Sequence, residues 1–177
     1  MPTTVIGMTN LGTRAARVIA ATALLASTAI AMVGTNTPAQ ADVSGCTDDQ
    51  HKSFSTPGFD TDLWVDVCIF SSGYTGHYAR FGVVWVDGGD SAADGNRKFD
   101  ALRLNVRLER YDSVILTASC SIAGDVNRNE SGNDSCYTET FKSSLLGGWT
   151  SDGTVTYDLD RDGEGSKTWS LTGSPQD

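Results

Sequence analysis

Ten residues constrain the fold of this chain more than any others: Ala101-Leu-Arg-Leu-Asn-Val-Arg-Leu-Glu-Arg110. Leu102, Leu104, Val106 and Leu108 share one parity, while Arg103, Asn105, Arg107 and Glu109 share the other. Successive side chains of a strand point to opposite faces, so the stretch reads as a half-buried strand with an apolar inner row and a charged outer row. A helix would scatter the four aliphatics around its circumference. Burying each of them stabilises by roughly 1.5–3 kcal/mol. That is enough to fix register, because a slip of one residue would expose the whole row.

Similar segments recur along the chain. Residues 63–70 (LWVDVCIF) are apolar on both parities, which predicts a central strand covered on both faces. Residues 78–86 and 114–122 read as further strands. The latter puts Val114, Leu116, Ala118, Cys120 and Ile122 on one side, so Cys120 is expected to face inward. Arg110-Tyr-Asp-Ser113 reads as a tight turn, 136–141 alternates weakly, and 154–159 and 167–171 are the last two strands. The connections are rich in Gly, Asp and Ser, among them 71–76, 87–96 and a bend at Gly147-Gly148. Thr47-Asp-Asp-Gln50 fits a capping box and predicts one short helical turn in a polar opening, 42–58. With no sustained helical period, the expected fold is all-β: a single antiparallel β-sandwich of about seven strands, with a small closed β-barrel as the alternative.

The first 41 residues carry no acid and two bases, Arg14 and Arg17. An apolar, alanine-rich run follows at 18–33, and then a polar stretch ending Ala39-Gln40-Ala41. A basic flank, a short apolar core and small residues before a cut are the parts of a secretory signal peptide. Residues 1–41 are therefore expected to be removed after Ala41, leaving 42–177 as a single secreted, extracellular β domain. The apolar run is about 16 residues, short of the roughly 20 that span a bilayer, so membrane insertion is not expected. Two alanines separate the arginines, which fits the general secretory route and not the twin-arginine one. The chain carries 22 acids against 13 bases, a formal charge of −9, and loss of the two leader arginines makes the remainder more negative still. Such a charge repels the phosphates of nucleic acid and anionic lipid, so neither is an expected partner.

Cys46, Cys68, Cys120 and Cys136 all follow Ala41. An even count in an exported chain predicts two disulfides, with three connectivities open. The expected pairs are Cys46–Cys68 and Cys120–Cys136. The second would close a polar loop, 121–135, too long and hydrophilic to hold a shape of its own, and a cross-link there stabilises by about 3 kcal/mol. No Cys-x-x-Cys pair is present and neither histidine stands at ligand spacing, so zinc is not expected.

Motifs that carry chemistry are few. Gly89-Asp90-Ser91 matches the nucleophile segment of chymotrypsin-like proteases, but Ala92-Ala93 replaces the glycine pair that follows there, and a surface turn explains it. No Gly-x-Ser-x-Gly elbow, phosphate-binding glycine loop or His-Glu-x-x-His helix is present. His77, in Tyr74-Thr-Gly-His-Tyr78, is a candidate ligand contact because aromatics flank it; the plainer reading is a hairpin-end histidine half in solvent. Trp64 and Trp85 fall in the most apolar strands and are expected in the core. Trp149, after two glycines, is expected to be exposed and is a second candidate contact, as part of a sugar-stacking surface. Asn129-Glu-Ser131 and Asn133-Asp-Ser135 match the N-glycosylation acceptor pattern.

One loop has the order of a calcium site. Counted from Asp158, acids stand at positions 1, 3 and 5 (Asp158, Asp160, Asp162), glycine at 6, Glu164 at 7 and Ser166 at 9, as in an EF-hand loop. Trp169 occupies position 12, where the bidentate Glu belongs, and the flanks are strand-like. The competing reading is an acidic hairpin loop turned by Asp-Gly.

Val67-Cys68, Tyr78-Ala-Arg-Phe81, Val84-Trp85, Leu108-Glu-Arg110, the Cys120 and Cys136 pair and the closing Trp169-Ser-Leu-Thr-Gly-Ser-Pro175 together resemble small exported actinobacterial two-disulfide β proteins of unassigned function. The resemblance implies a bacterial source, in which the two glycosylation patterns carry no meaning, and it supplies no active site. The function expected from these residues is a secreted non-catalytic binding or interaction module with a protein or glycan partner, associated with the cell envelope or acting as a protease inhibitor through 121–135. The alternative is a small secreted hydrolase using an Asp and His77.

Overall fold

The structure, a computed structural model, describes residues 43–72, 76–89 and 96–177. The leader, its cleavage site and Asp90-Ser91 lie outside the described residues. Within them the chain forms β1 (Val43–Cys46), β2 (Gln50–Phe54), β3 (Thr61–Ser72), β4 (Gly76–Val86), β5 (Phe99–Arg110), β6 (Ser113–Ser121), the single helical turn α1 (Ala123–Val126), β7 (Gly132–Tyr137), β8 (Trp149–Leu159) and β9 (Lys167–Ser170). All pairings are antiparallel. One sheet, A, has β1 and β2 on one edge of β3, then β4 and β7; the other, B, runs β6-β5-β8-β9. The two sheets pack face to face as a sandwich and do not join into a closed barrel. No helix among the described residues is long and apolar enough to cross a membrane.

The row on β5 behaves as its pattern predicts: Leu102, Leu104, Val106 and Leu108 are all fully buried. They meet Leu63, Val65, Val67 and Ile69 of β3 and Ala79, Phe81, Val83 and Trp85 of β4 in one core between the sheets. The turn from β5 to β6 has Tyr111 and Asp112 at φ 48° and 59°. Two left-handed residues in succession match the twist of a hairpin. A register shift follows, since Leu108 faces Leu116 but Glu109 faces Val114, leaving Ile115 as the extra residue. This bulge breaks the expected parity. Leu116, Ala118 and Cys120 pack toward the core, whereas Val114 is 52% exposed.

Three further expectations need correction. Residues 63–70 form a strand central to its sheet, yet among the described residues only one face is covered by a second layer. Trp64 and Phe70 lie on the outer face, half-buried by their cross-strand neighbours and not by another layer. Residues 47–50 form no helical turn. They interrupt one edge of sheet A, where β1 pairs with the far half of β3 and β2 with the near half. Thr47 exchanges backbone and hydroxyl bonds with Val67, and the Gln50 amide donates to the Thr172 carbonyl at 3.0 Å and accepts from its N–H at 2.6 Å. Ser, Thr and Gln side chains that suit a helix cap serve equally well wherever backbone groups lack partners. Nor is 121–135 shapeless: Ile122 and Val126 are fully buried, α1 packs on β5, and 132–135 pair with β4.

Both disulfides form as expected. Cys46–Cys68 joins register partners on β1 and β3, with Cα atoms 4.1 Å apart. Cys120–Cys136 joins β6 of one sheet to β7 of the other, with Cα atoms 5.7 Å apart. Two such bonds suit an oxidising, extracellular environment. On the opposite side, the tail beyond β9 continues beside β8, through Leu171 N–H to Gly153 O (3.3 Å), Ser174 N–H to Ser151 O (2.8 Å) and Asp177 N–H to Trp149 O (3.2 Å).

Candidate functional site

His77 stands second in β4 and points into the sandwich. Gly76 before it has φ +108°, and a Cβ there would run into the Phe141 carbonyl. That close approach lets 141–145 fold over the strand end, with His77 and Phe141 exchanging backbone bonds of 2.9 and 2.8 Å. The imidazole is fully buried and stacks on Trp149, ring centroids 4.0 Å apart. It is therefore not the half-solvated hairpin histidine expected from the sequence, nor an open ligand contact.

The hydrogen bonds around it fix the proton order. The Ser71 hydroxyl donates to the Asp177 carboxylate, so its oxygen accepts from His77 Nδ1–H at 2.8 Å. The other carboxylate oxygen accepts the Trp149 backbone N–H at 3.0 Å. In a Ser-His-Asp nucleophile the carboxylate orients the histidine, which then takes the serine's proton. Here the serine hydroxyl points its proton at the carboxylate and not at the histidine, and the histidine is enclosed. The group clamps the end of the chain to β3, β4 and β8. Burial lowers the His77 pKa from its ordinary value of 6.5, against the pull of Asp177 and of the Ser143 and Leu145 carbonyls, with Arg110 assisting burial. His77 Nε2 makes no hydrogen bond.

Trp149 is 1% exposed, against the exposure expected after two glycines. Gly147 and Gly148, at φ +73° and +81°, turn the chain back so that Trp149 opens β8 opposite Arg110, and its indole N–H donates to the Leu145 carbonyl at 2.8 Å. Left-handed backbone at both glycines is what permits the reversal. The residues left in solvent are Leu145 and Leu146, at 55% and 65%.

The aromatic surface that sequence reasoning sought at Trp149 lies on the outer face of sheet A. Trp85 is core, with its indole N–H on the Asn129 carbonyl at 3.1 Å, but Trp64 is not. It stacks on His51 across the β2–β3 pair, centroids 4.8 Å apart and planes 22° apart. Three rows farther along, Phe70 stacks on Tyr78 across β3–β4 at 4.9 Å and 8°, and Tyr78 leans against Tyr137 of β7 at 6.3 Å. Centroid separations equal to the spacing of neighbouring strands, with near-parallel planes, mean that the rings stand up from the sheet face to face. Their flat faces cover one another, and edges and tips point outward. Between the two stacks, Arg80 sits against Phe70 and donates to Asp66, over the bare backbone of Gly82. Val84 and Tyr137 are the most open members, each 50% exposed.

The outer face of sheet B is different in kind. Asn105 donates to Thr156 at 2.9 Å and accepts from Ser119 at 2.8 Å, and Arg107 pairs with Asp152 and Glu109 at 2.9 and 2.8 Å. Its polar groups largely satisfy one another.

The acidic loop after β8 is split among separate partners. Asp158 lies in β8 opposite Ala101. Asp160 faces Arg97 (3.8 Å) and Arg161 (3.3 Å), Asp162 accepts the Glu164 backbone N–H at 2.9 Å, and Lys167 pairs with both Asp162 and Glu164. Ser166 follows Gly165. The structure does not bring these acids together as a ligand set: among the described residues, the one trio of potential ligands within 4.8 Å is Cys46, Asp66 and Cys68. Both sulfurs of that trio are spent in the disulfide, so it offers no thiolate.

No protein-family model, no curated protein and no solved structure matches the chain.

Proposed function

We propose that this chain is an exported, non-catalytic binding module, carried out of the cell by residues 1–41, and that it engages a protein through the outer face of sheet A. The observation that carries the reading is the pair of standing aromatic stacks, His51–Trp64 and Phe70–Tyr78, with Tyr137 tilted against the second and Arg80 between them, on a face that no other layer of the described residues covers. Tyr, Trp and Arg are the residues over-represented where protein partners bury most of their binding energy. A sugar ring needs an open aromatic face to lie on, and the His51–Trp64 and Phe70–Tyr78 pairs turn ring faces toward each other. This favours a protein over a glycan. Arg80 is already neutralised by Asp66, so the centre of the face can be desolvated without leaving a lone charge.

Affinity capture from native culture medium and cell wall tests the reading, with the oxidised parent protein and a Val84→Ala/Tyr137→Ala variant as parallel baits. Both side chains are half in solvent, so the variant keeps the fold. The expected result is a protein bound by the parent and weakened at least tenfold in the variant, the scale of a lost hot spot. Equal capture by both baits, or elution by soluble polysaccharide alone, would overturn it.

A further inference from the structure

A sandwich of two open sheets has edges, and each edge is a row of unpaired backbone N–H and C=O groups. Three of the edges here are blunted. That of β1 and β2 is interrupted at 47–49 by a segment holding Asp48 and Asp49. β9 has only four residues. β7 has six, begins at a glycine and carries Asp134 on the parity that points between the sheets. β6 has none of these devices along most of its length. It runs nine residues, Ser-Val-Ile-Leu-Thr-Ala-Ser-Cys-Ser, without a charge, proline or glycine. Among the described residues nothing bonds to its backbone from the side away from β5.

We propose that β6 is a self-association edge, on which a second copy of this chain adds its own β6 antiparallel. Charge selects the occupant. The chain's formal charge of −9 opposes the approach of another copy over most of its surface, but along β6 it meets none. The outer residues of β5 nearest that edge are Arg103, opposite Ser121, and Arg107, opposite Thr117. The strand is also self-complementary. Directly opposed residues share a face, so a two-fold axis near Ala118 sets Thr117 against Ser119 of the second copy on the outer side and Leu116 against Cys120 on the inner side. Thr–Ser and apolar pairs of this kind are favourable across strands. The regular pairing spans 116–120, because Ser121 would face Ile115, where the bulge turns the start of the strand away. Tyr111 and Val114, 65% and 52% exposed at the hairpin end, add apolar surface beside it.

Sedimentation of the oxidised protein over a dilution series, with charge-swapped variants, tests the proposal. Thr117 and Ser119 are exposed, so T117K/S119K and T117E/S119E retain the fold, as near-ultraviolet circular dichroism checks. The parent is expected to dimerise reversibly, each double variant to sediment as a monomer, and an equimolar mixture of the two to recover the dimer. Hydrogen exchange on the parent gives a reading free of mutation, in which the outward amides within 116–120 slow as concentration rises. A parent monomeric at its highest soluble concentration would overturn the proposal, as would a lysine variant that dimerises like the parent. Slowing of the β6 amides only when a different protein is added would assign the edge to a foreign strand instead.

Discussion

Along one side of the sandwich, β6 of sheet B is joined to β7 of sheet A by Cys120–Cys136. Along the other, the tail beyond β9 lies against β8 and meets the broken edge of sheet A through Gln50 and Thr172, and the strand ends through Ser71, His77 and Asp177. The cross-link of one seam is a covalent bond, indifferent to pH and salt but open to reductant. The other is a set of hydrogen bonds that individually contribute about 0.5–1.5 kcal/mol and include a histidine and a carboxylate. The two seams should therefore fail under different conditions. A reductant at neutral pH loosens the β6–β7 side first, and acid under oxidising conditions loosens the tail side first.

The largest expected effect comes from removing the covalent seam. Cys120→Ala/Cys136→Ala is predicted to lose about 3 kcal/mol of unfolding free energy, from the freed loop entropy of a 16-residue separation. Urea unfolding at pH 7 measures it, and a loss no greater than that of the next variant would break the comparison. Gln50→Ala is predicted to cost about 1 kcal/mol, since Thr172 can recover part of its two lost bonds from water. Faster hydrogen exchange in the tail, with none at 113–121, would sharpen the assignment of Gln50 to that seam.

The smallest effect is the pH dependence. Because the folded pKa of His77 lies below the unfolded value, the unfolded chain takes up a proton first as pH falls from about 6.5. His77 thus contributes a loss of stability on acidification through 6.5, which levels off once pH passes the lower folded value. Asp177 and Arg110 are the charged groups that face it. His77→Gln should remove this component, so the difference between parent and variant grows smaller from pH 7.5 toward pH 5. A parallel offset at all pH values would mean that His77 does not titrate in that window.

The division between what could and could not be read from the sequence follows the physics of each signal. Leu102 to Leu108 declared themselves because alternation is local and the inner row has one burial solution. The sandwich followed from strand after strand without helical period, and of the three connectivities the cysteine count left open, the structure has the expected one, which closes the polar loop 121–135. Trp64 was misplaced because both parities of 63–70 are apolar, and only the absence of a covering layer decides which side is outer. Trp149 and His77 were misplaced for a related reason. Their burial depends on the left-handed turn at Gly147-Gly148 and on 141–145 returning over β4, contacts between residues far apart in the chain. β1 and β2 escaped notice because they are short and mostly polar: β1 is held by backbone pairing and the disulfide to β3, and β2 by pairing to β3 and the single buried ring of Phe54, too little to show a period.

The interruption at 47–49 bears on how far assembly can proceed. Growth of strands into a fibre requires two sticky edges per molecule, one to receive and one to offer. With the edge of β1 and β2 broken by acids and tied down to Val67 and Thr172, each molecule has a valency of one. Pairing through β6 then uses up the one adhesive rim among the described residues, and the series stops at two. Healing the break, by replacing 47–49 with residues that continue the strand, would turn a chain terminator into a monomer for polymerisation.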